Sequence, residues 1–83
     1  MLRMRTHILE QRSIRNMKQE TLAELVNVRR ETISRLEKGL YNPSLKLAYQ
    51  IAHIFDMNVE EMFEFYGDDI GDESKILNKY GQK

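Results

Sequence analysis

The stretch "NVRRETISRLEKG", residues 27–39, decides how the chain is read. It gathers Arg29, Arg30, Arg35, Lys38, Glu31 and Glu37 around only three aliphatic residues, Val28, Ile33 and Leu36. A charge run of this kind is ordinarily a solvated helix face. Setting residues 29–38 at intervals of about 100° separates the charges instead. With Ile33 at the centre of the buried side, Leu36 and Thr32 lie beside it, while Glu31, Ser34, Arg35 and Lys38 occupy the opposite face. Arg29 and Arg30 stand at the N-terminus, where free backbone N–H groups and the positive end of the helix dipole point outward. A major groove admits such a helix, and its first residues reach base edges.

Glu37 is the exception, because it falls beside Ile33. A buried carboxylate without a partner is very costly. Either it pairs with a cation, for which Arg12 is the candidate, or both residues lie at the surface. The wheel leaves both arrangements open.

Working outward, the pattern predicts short helices separated by punctuation. "THILEQRSIR" carries Ile8 and ends at Asn16, and "QETLAELV" sets Leu22, Leu25 and Val26 on one stripe and stops at Asn27. "RETISRLEK" ends at Gly39. Asn and Gly tolerate the left-handed backbone that closes a helix. Pro43 turns Asn42 away from helix and Ser44 can cap the next one. "LKLAYQIAHIF" then repeats Leu45, Ala48, Ile51, Ala52 and Phe55 at helical spacing as the central core element. Asn58 with Glu61 forms a capping-box pattern that opens a short helix. The methionines, Tyr41 and Tyr49 are expected as packing residues.

The two ends carry a different period. "MLRMRT" and "MFEFY" alternate apolar and polar residues, which is a strand signature. If both form, they pair as a two-stranded ribbon and lie at a subunit interface through Leu2, Met4, Phe63 and Phe65. The fold class expected is therefore all-α, five helices with a short terminal ribbon. Residues 1–66 form the domain and residues 67–83 an acidic, polar tail that forms a weak turn or two around Ile76, Leu77 and Tyr80, or none.

Composition bounds the function. Eighty-three residues fit one domain with a thin core. No apolar run approaches a membrane span, no signal-peptide pattern opens the chain, and there is no cysteine, which fits a cytoplasmic protein away from membranes. His7 and His53 lack metal-ligand spacing, and no nucleophile motif or glycine-rich phosphate loop occurs, so no enzyme activity, metal or cofactor is expected. The formal net charge of +0 conceals a split. Residues 1–46 hold ten Lys/Arg against five Asp/Glu (+5), and residues 47–83 hold three against eight (−5). The basic half suits a polyanion.

Ala23 is small where a helix over residues 19–26 would cross the next one, and Asn27 can make the tight turn between them. Leu22, Val26, Val28, Ile33 and Leu36 supply the apolar contacts of the pair. Residues 17–63, "MKQETLAELVNVRRETISRLEKGLYNPSLKLAYQIAHIFDMNVEEMF", resemble the lambda-repressor-like (Cro/cI, or XRE) helix-turn-helix family, in its small stand-alone form. Gln19, Leu22, Ala23, Val28, Arg30, Thr32, Ile33, Ser34, Glu37, Gly39 and the "YNPS" box stand where that family has them. The chain departs from the pattern at Lys18 and Arg29, which replace capping hydroxyls, at Asn16 and Asn27, which replace glycines, and at Gln11 in a usually apolar place.

The resemblance implies a homodimer on double-stranded DNA, a helix-turn-helix over residues 19–38 and a recognition helix at about 30–38. It implies base contacts from Arg30, Glu31, Ser34 and Arg35, and phosphate contacts from Gln19, Arg29, Thr32, Lys38 and Asn42. Glu31 would accept from a cytosine amino group or orient a neighbouring arginine. Arg12 and Glu37 match a family salt bridge. The function expected is a sequence-specific transcriptional regulator, a repressor reading a palindromic operator. The alternative is an antitoxin-like module whose C-terminal tail holds a protein partner.

Overall fold

Four helices of the chain end by one device. In the computed structural model, which describes residues 3–67, the elements run β1 (Arg3–Thr6), α1 (Ile8–Ile14), α2 (Gln19–Leu25), α3 (Arg30–Glu37), α4 (Leu45–Ile54), α5 (Val59–Met62) and β2 (Phe63–Tyr66). After α1 to α4 stand Asn16, Asn27, Gly39 and Asp56, each with positive φ (54°, 60°, 73° and 56°). The residue that follows donates its N–H back into the helix: Met17 to Arg12, Val28 to Ala23, Leu40 to Arg35 and Met57 to Ala52, all at 2.9 Å. The left-handed residues donate as well, to Ser13, Glu24, Leu36 and His53. This double closure is the Schellman motif, which satisfies carbonyls that a helix end would leave orphaned. Met17, Val28 and Met57 then fold their side chains against the core. Asn16, Asn27 and Gly39 act as expected; Asp56 is a fourth stop of the same kind.

Helix starts are served less evenly. Ser44 Oγ accepts from Leu47 N–H at 3.1 Å, and the Asn58 N–H donates to Glu61 Oε1 at 2.8 Å. Lys18 and Arg29 give no side-chain cap to α2 and α3.

The core forms where the helices converge. Ile8, Leu22, Ile33, Leu36, Ile51 and Met62 are fully enclosed, with Ala23 small at the crossing of α2 and α3. Two expected core residues are not in it: Leu25 is 58% exposed and Leu45 is 80% exposed. The buried stripe of α2 is Leu22, Ala23 and Val26, and that of α4 runs through Leu47, Ala48, Ile51, Ala52 and Phe55. Six residues of helix put Leu45 about 120° from Ile51, beyond the edge of that stripe. Tyr41 and Tyr49 are also exposed rather than packed, Tyr49 stacking on His53 with ring centroids 6.3 Å apart.

The ends meet as the alternation implied. β1 and β2 pair antiparallel, with Arg3 opposite Tyr66, Met4 opposite Phe65, Arg5 opposite Glu64 and Thr6 opposite Phe63. Met4 and Phe63 are buried in the protomer's own core, while Phe65, on the same face, is 46% exposed. Leu2 and the acidic tail, with its expected turns around Ile76, Leu77 and Tyr80, lie outside the described residues. Gly39 fixes where the ribbon rests. A Cβ there would lie 2.7 Å from the Met4 carbonyl oxygen, so β1 packs backbone against backbone on the end of α3.

His7 ties the ribbon to α1. Its Nδ1 lies 2.7 Å from Glu10 Oε1 and its Nε2 2.7 Å from Glu64 Oε2. Ionised carboxylates only accept, so both ring nitrogens donate only in the imidazolium form. The hydrogen bonds that His7 donates to Glu64, then to Glu10, raise its pKa above the ordinary 6.5. The bond with His7 lowers that of Glu64 below its ordinary 4.5, and Arg5 stands 4.0 Å from the same carboxylate.

Two outcomes follow from this packing. Gly39→Ala should lower the urea midpoint with unchanged m-value. A non-glycine residue in the left-handed region costs about 1–3 kcal/mol, before the clash with Met4 is added. The His7 contribution is complete below pH 6.5 and lost as pH rises through its raised folded value, while that of Glu64 is present above pH 4.5 and lost as pH falls through its lowered one. The stability gap between wild type and His7→Asn should therefore be widest between pH 4.5 and 6.5 and shrink at pH 9. An equal gap at pH 5.5 and 9 would show that the imidazolium is not the stabilising form.

Candidate nucleic-acid interface

Gln19 opens α2 and Arg30 opens α3, with residues 26–29 making the turn between the two helices. Asn27 supplies its left-handed step, and the Val28 N–H caps α2 through the Ala23 carbonyl. Ile33 and Leu36 anchor α3 inward, so the other side of that helix is presented to solvent.

The buried-carboxylate question is decided in favour of the pair. Arg12 Nε donates to Glu37 Oε2 at 2.6 Å and Arg12 Nη2 to Glu37 Oε1 at 3.1 Å, with the two side chains only 11% and 9% exposed. The remaining arm, Nη1, donates to the Met17 carbonyl at 2.8 Å. Glu37 Oε1 also accepts from Gln19 Nε2 at 2.9 Å. Gln19 in turn accepts from Arg30 Nη1 through its Oε1 at 3.1 Å. A continuous polar chain thus runs from α1 through the last turn of α3 to the start of α2 and back to the first residue of α3. The sequence pointed to Arg12 and Glu37; the links through Gln19 had no periodic signal, since they span a turn.

Around this chain stand the residues expected at the interface. Arg29, Arg30, Glu31 and Arg35 are exposed along α3, and Thr32 and Ser34 are half-buried at its flanks. Helix α3 closes at Glu37, so Lys38 is its cap, and Lys38 and Asn42 are exposed on and beside the loop that follows. Among the described residues, Arg29, Arg30, Glu31, Arg35 and Lys38 form no ion pair. Four cations against one carboxylate leave this surface at +3. No sequence pattern assigns a role to Arg3, yet β1 brings it to the foot of α3. There it lines a cleft of about 330 Å³ with Lys38, Tyr41, Asn42 and Tyr66.

Two helices joined by a tight turn, the second buried on one side and cationic on the other, define a helix-turn-helix DNA-binding domain. The helix-turn-helix family profile matches residues 8–62, and the chain belongs to that family, in its XRE-type branch of transcriptional regulators. An uncharacterized HTH-type transcriptional regulator of Archaeoglobus fulgidus is 61% identical over 62 residues, covering 75% of this chain and 87% of the relative. The HTH-type transcriptional regulator MJ0272 of Methanocaldococcus jannaschii is 48% identical over 58 residues, covering 70% and 86%. YgzD of Bacillus subtilis is 42% identical over 60 residues, covering 72% and 91%. A transcriptional regulator from Listeria innocua, 17% identical, superposes with a TM-score of 0.62 over 94% of this chain and 81% of its own, a likeness of fold. No helix among the described residues is long and apolar enough to cross a membrane.

Removing one partner of a mostly buried ion pair leaves the other charge stranded, at a cost of about 3–5 kcal/mol. Glu37→Ala should lose stability on that scale, and Arg12→Met combined with Glu37→Leu should recover much of it. A double variant as unstable as the sum of the single ones would show that the two side chains are not coupled.

Proposed function

We propose that the protein is a homodimeric repressor that reads a palindromic operator through the major groove. The observation that carries this reading is the face of α3, whose four cations form no ion pair among the described residues and outnumber its one carboxylate, Glu31. Arg30 and Arg35 each offer a planar fork that can donate twice to a guanine edge, and Glu31 can accept from a cytosine amino group or hold a neighbouring arginine. Ser34 completes the base-facing row. Gln19 keeps one amide hydrogen beyond the one given to Glu37, and with Arg29, Thr32, Lys38 and Asn42 it supplies contacts to phosphate. Those contacts give most of the affinity and make it depend on salt.

The dimer is supported by the size of the protomer and by the open edges of its ribbon. With Met4 and Phe63 spent on the protomer's core, Phe65 and the neighbouring strand edges are what remains for a second copy. A two-fold pair would present its α3 helices to half-sites about 34 Å apart. Occupancy alone is enough to exclude transcription machinery from such a site, so repression requires no further surface.

Selection from random duplexes should enrich a palindrome; recovery of no motif with wild-type protein would sink the reading. On the enriched site, Arg30→Ala and Arg35→Ala should each cost about 1–3 kcal/mol and relax the preference at one position. Lys38→Ala should weaken all sequences alike and lower the salt slope by about 1.

A further inference from the structure

The solvent face of the ribbon carries two arginines in different circumstances. Arg5 stands opposite Glu64, 4.0 Å from its carboxylate, and its guanidinium lies 5.2 Å from the centre of the Tyr66 ring. Its charge is accounted for. Arg3 stands opposite Tyr66, and no carboxylate among the described residues lies within 4.0 Å of it. Instead it shares with Lys38 the cleft between β1 and the loop after α3. Among the described residues no acidic one lines that cleft. Two cations facing one space, with no counter-charge among the described residues, create a focus of positive potential.

Residues with neutral donors line the same space. Asn42 lines it, and the N–H groups of Tyr41 and Asn42 donate to no backbone carbonyl among the described residues. The geometry is held from both sides. The Met4 carbonyl rests on Gly39, where no side chain could intervene, and β2 fixes the strand register at Arg3.

We propose that Arg3 is a further contact to the DNA backbone and that this cleft holds one operator phosphate between Arg3 and Lys38. The proposal rests on the DNA-binding reading and extends the interface from the helix-turn-helix onto the terminal ribbon. An arginine fork suits a phosphate's two free oxygens. A strand residue also gives up less freedom on binding than one on a loose arm.

Phosphate ethylation interference with the full chain on its selected operator is the direct test. Wild type should show one interfering phosphate per half-site that Arg3→Ala no longer shows, all others being kept. Affinity should fall by the same factor for operator and random duplex. The slope of log K against log salt should fall by about 0.9 for each Arg3 engaged, and Arg3→Lys should restore it. An unchanged ethylation pattern and slope in Arg3→Ala, with Lys38→Ala still altering both, would overturn the proposal while leaving the DNA-binding reading in place. So would a weaker Arg3→Ala complex explained by dissociation of the dimer in sedimentation. Wild type that binds no duplex would overturn both.

Discussion

Glu37 holds the domain together at one point. Its carboxylate, on the last turn of α3, accepts twice from Arg12 and once from Gln19, so a single charge fixes α1, α2 and α3 relative to one another. The spare arm of Arg12 reaches the Met17 carbonyl, which steadies the connection between α1 and α2. Such a pair is not in itself a large source of stability, because both charges lose water on burial. Its consequence is geometric: other placements of the three helices would leave a charge stranded. The same chain continues to Arg30 through Gln19, and an arginine already held in place would lose less freedom in the base contact proposed for it.

The helix ends were legible because their chemistry is local. An Asn or Gly in the left-handed region followed by an apolar residue is a complete instruction, closing the carbonyls and turning the next side chain inward. Asn16–Met17 and Asn27–Val28 follow it in full, while Gly39–Leu40 closes the carbonyls but leaves Leu40 in solvent. Asp56–Met57 carries it too, but Asp gives a fainter signal because it also serves ordinary turns and helix starts. Leu25 and Leu45 were misread for the opposite reason. Spacing places a residue on a helix, while the width of the neighbour it meets decides whether it is covered. On α4 the buried stripe is centred nearer Leu47, so an apolar Leu45 at an acceptable spacing is left in solvent.

At the site, legibility followed the same division between local and long-range information. The exposed face of α3 came from one helix's periodicity, and Glu37 announced itself as a charge on the wrong side. The Gln19 links depend on the angle between α2 and α3, which no periodicity encodes. The ribbon shows the limit most plainly. Alternation put Met4 and Phe63 on one face, but not whether that face would meet a second copy or the protomer's own helices. The core took both, because α5 runs directly into β2 and leaves Phe63 over it.

The fold also changes what the net charge of +0 means. The ribbon joins the basic half of the chain to the acidic half, and there Glu64 meets Arg5 and His7, so part of the opposite charge is consumed locally. The cations of α3 take no part in that exchange. At physiological salt a charge is screened beyond about 8 Å. In the proposed complex a phosphate beside α3 would therefore respond to Arg29, Arg30, Arg35 and Lys38, less Glu31, and hardly to any charge beyond that distance. Affinity for a polyanion is then set by how many phosphates these cations displace ions from, not by the sum over the chain. On the proposed reading, a protein with no net charge would in this way lack long-range attraction to DNA and still bind it once α3 is in contact.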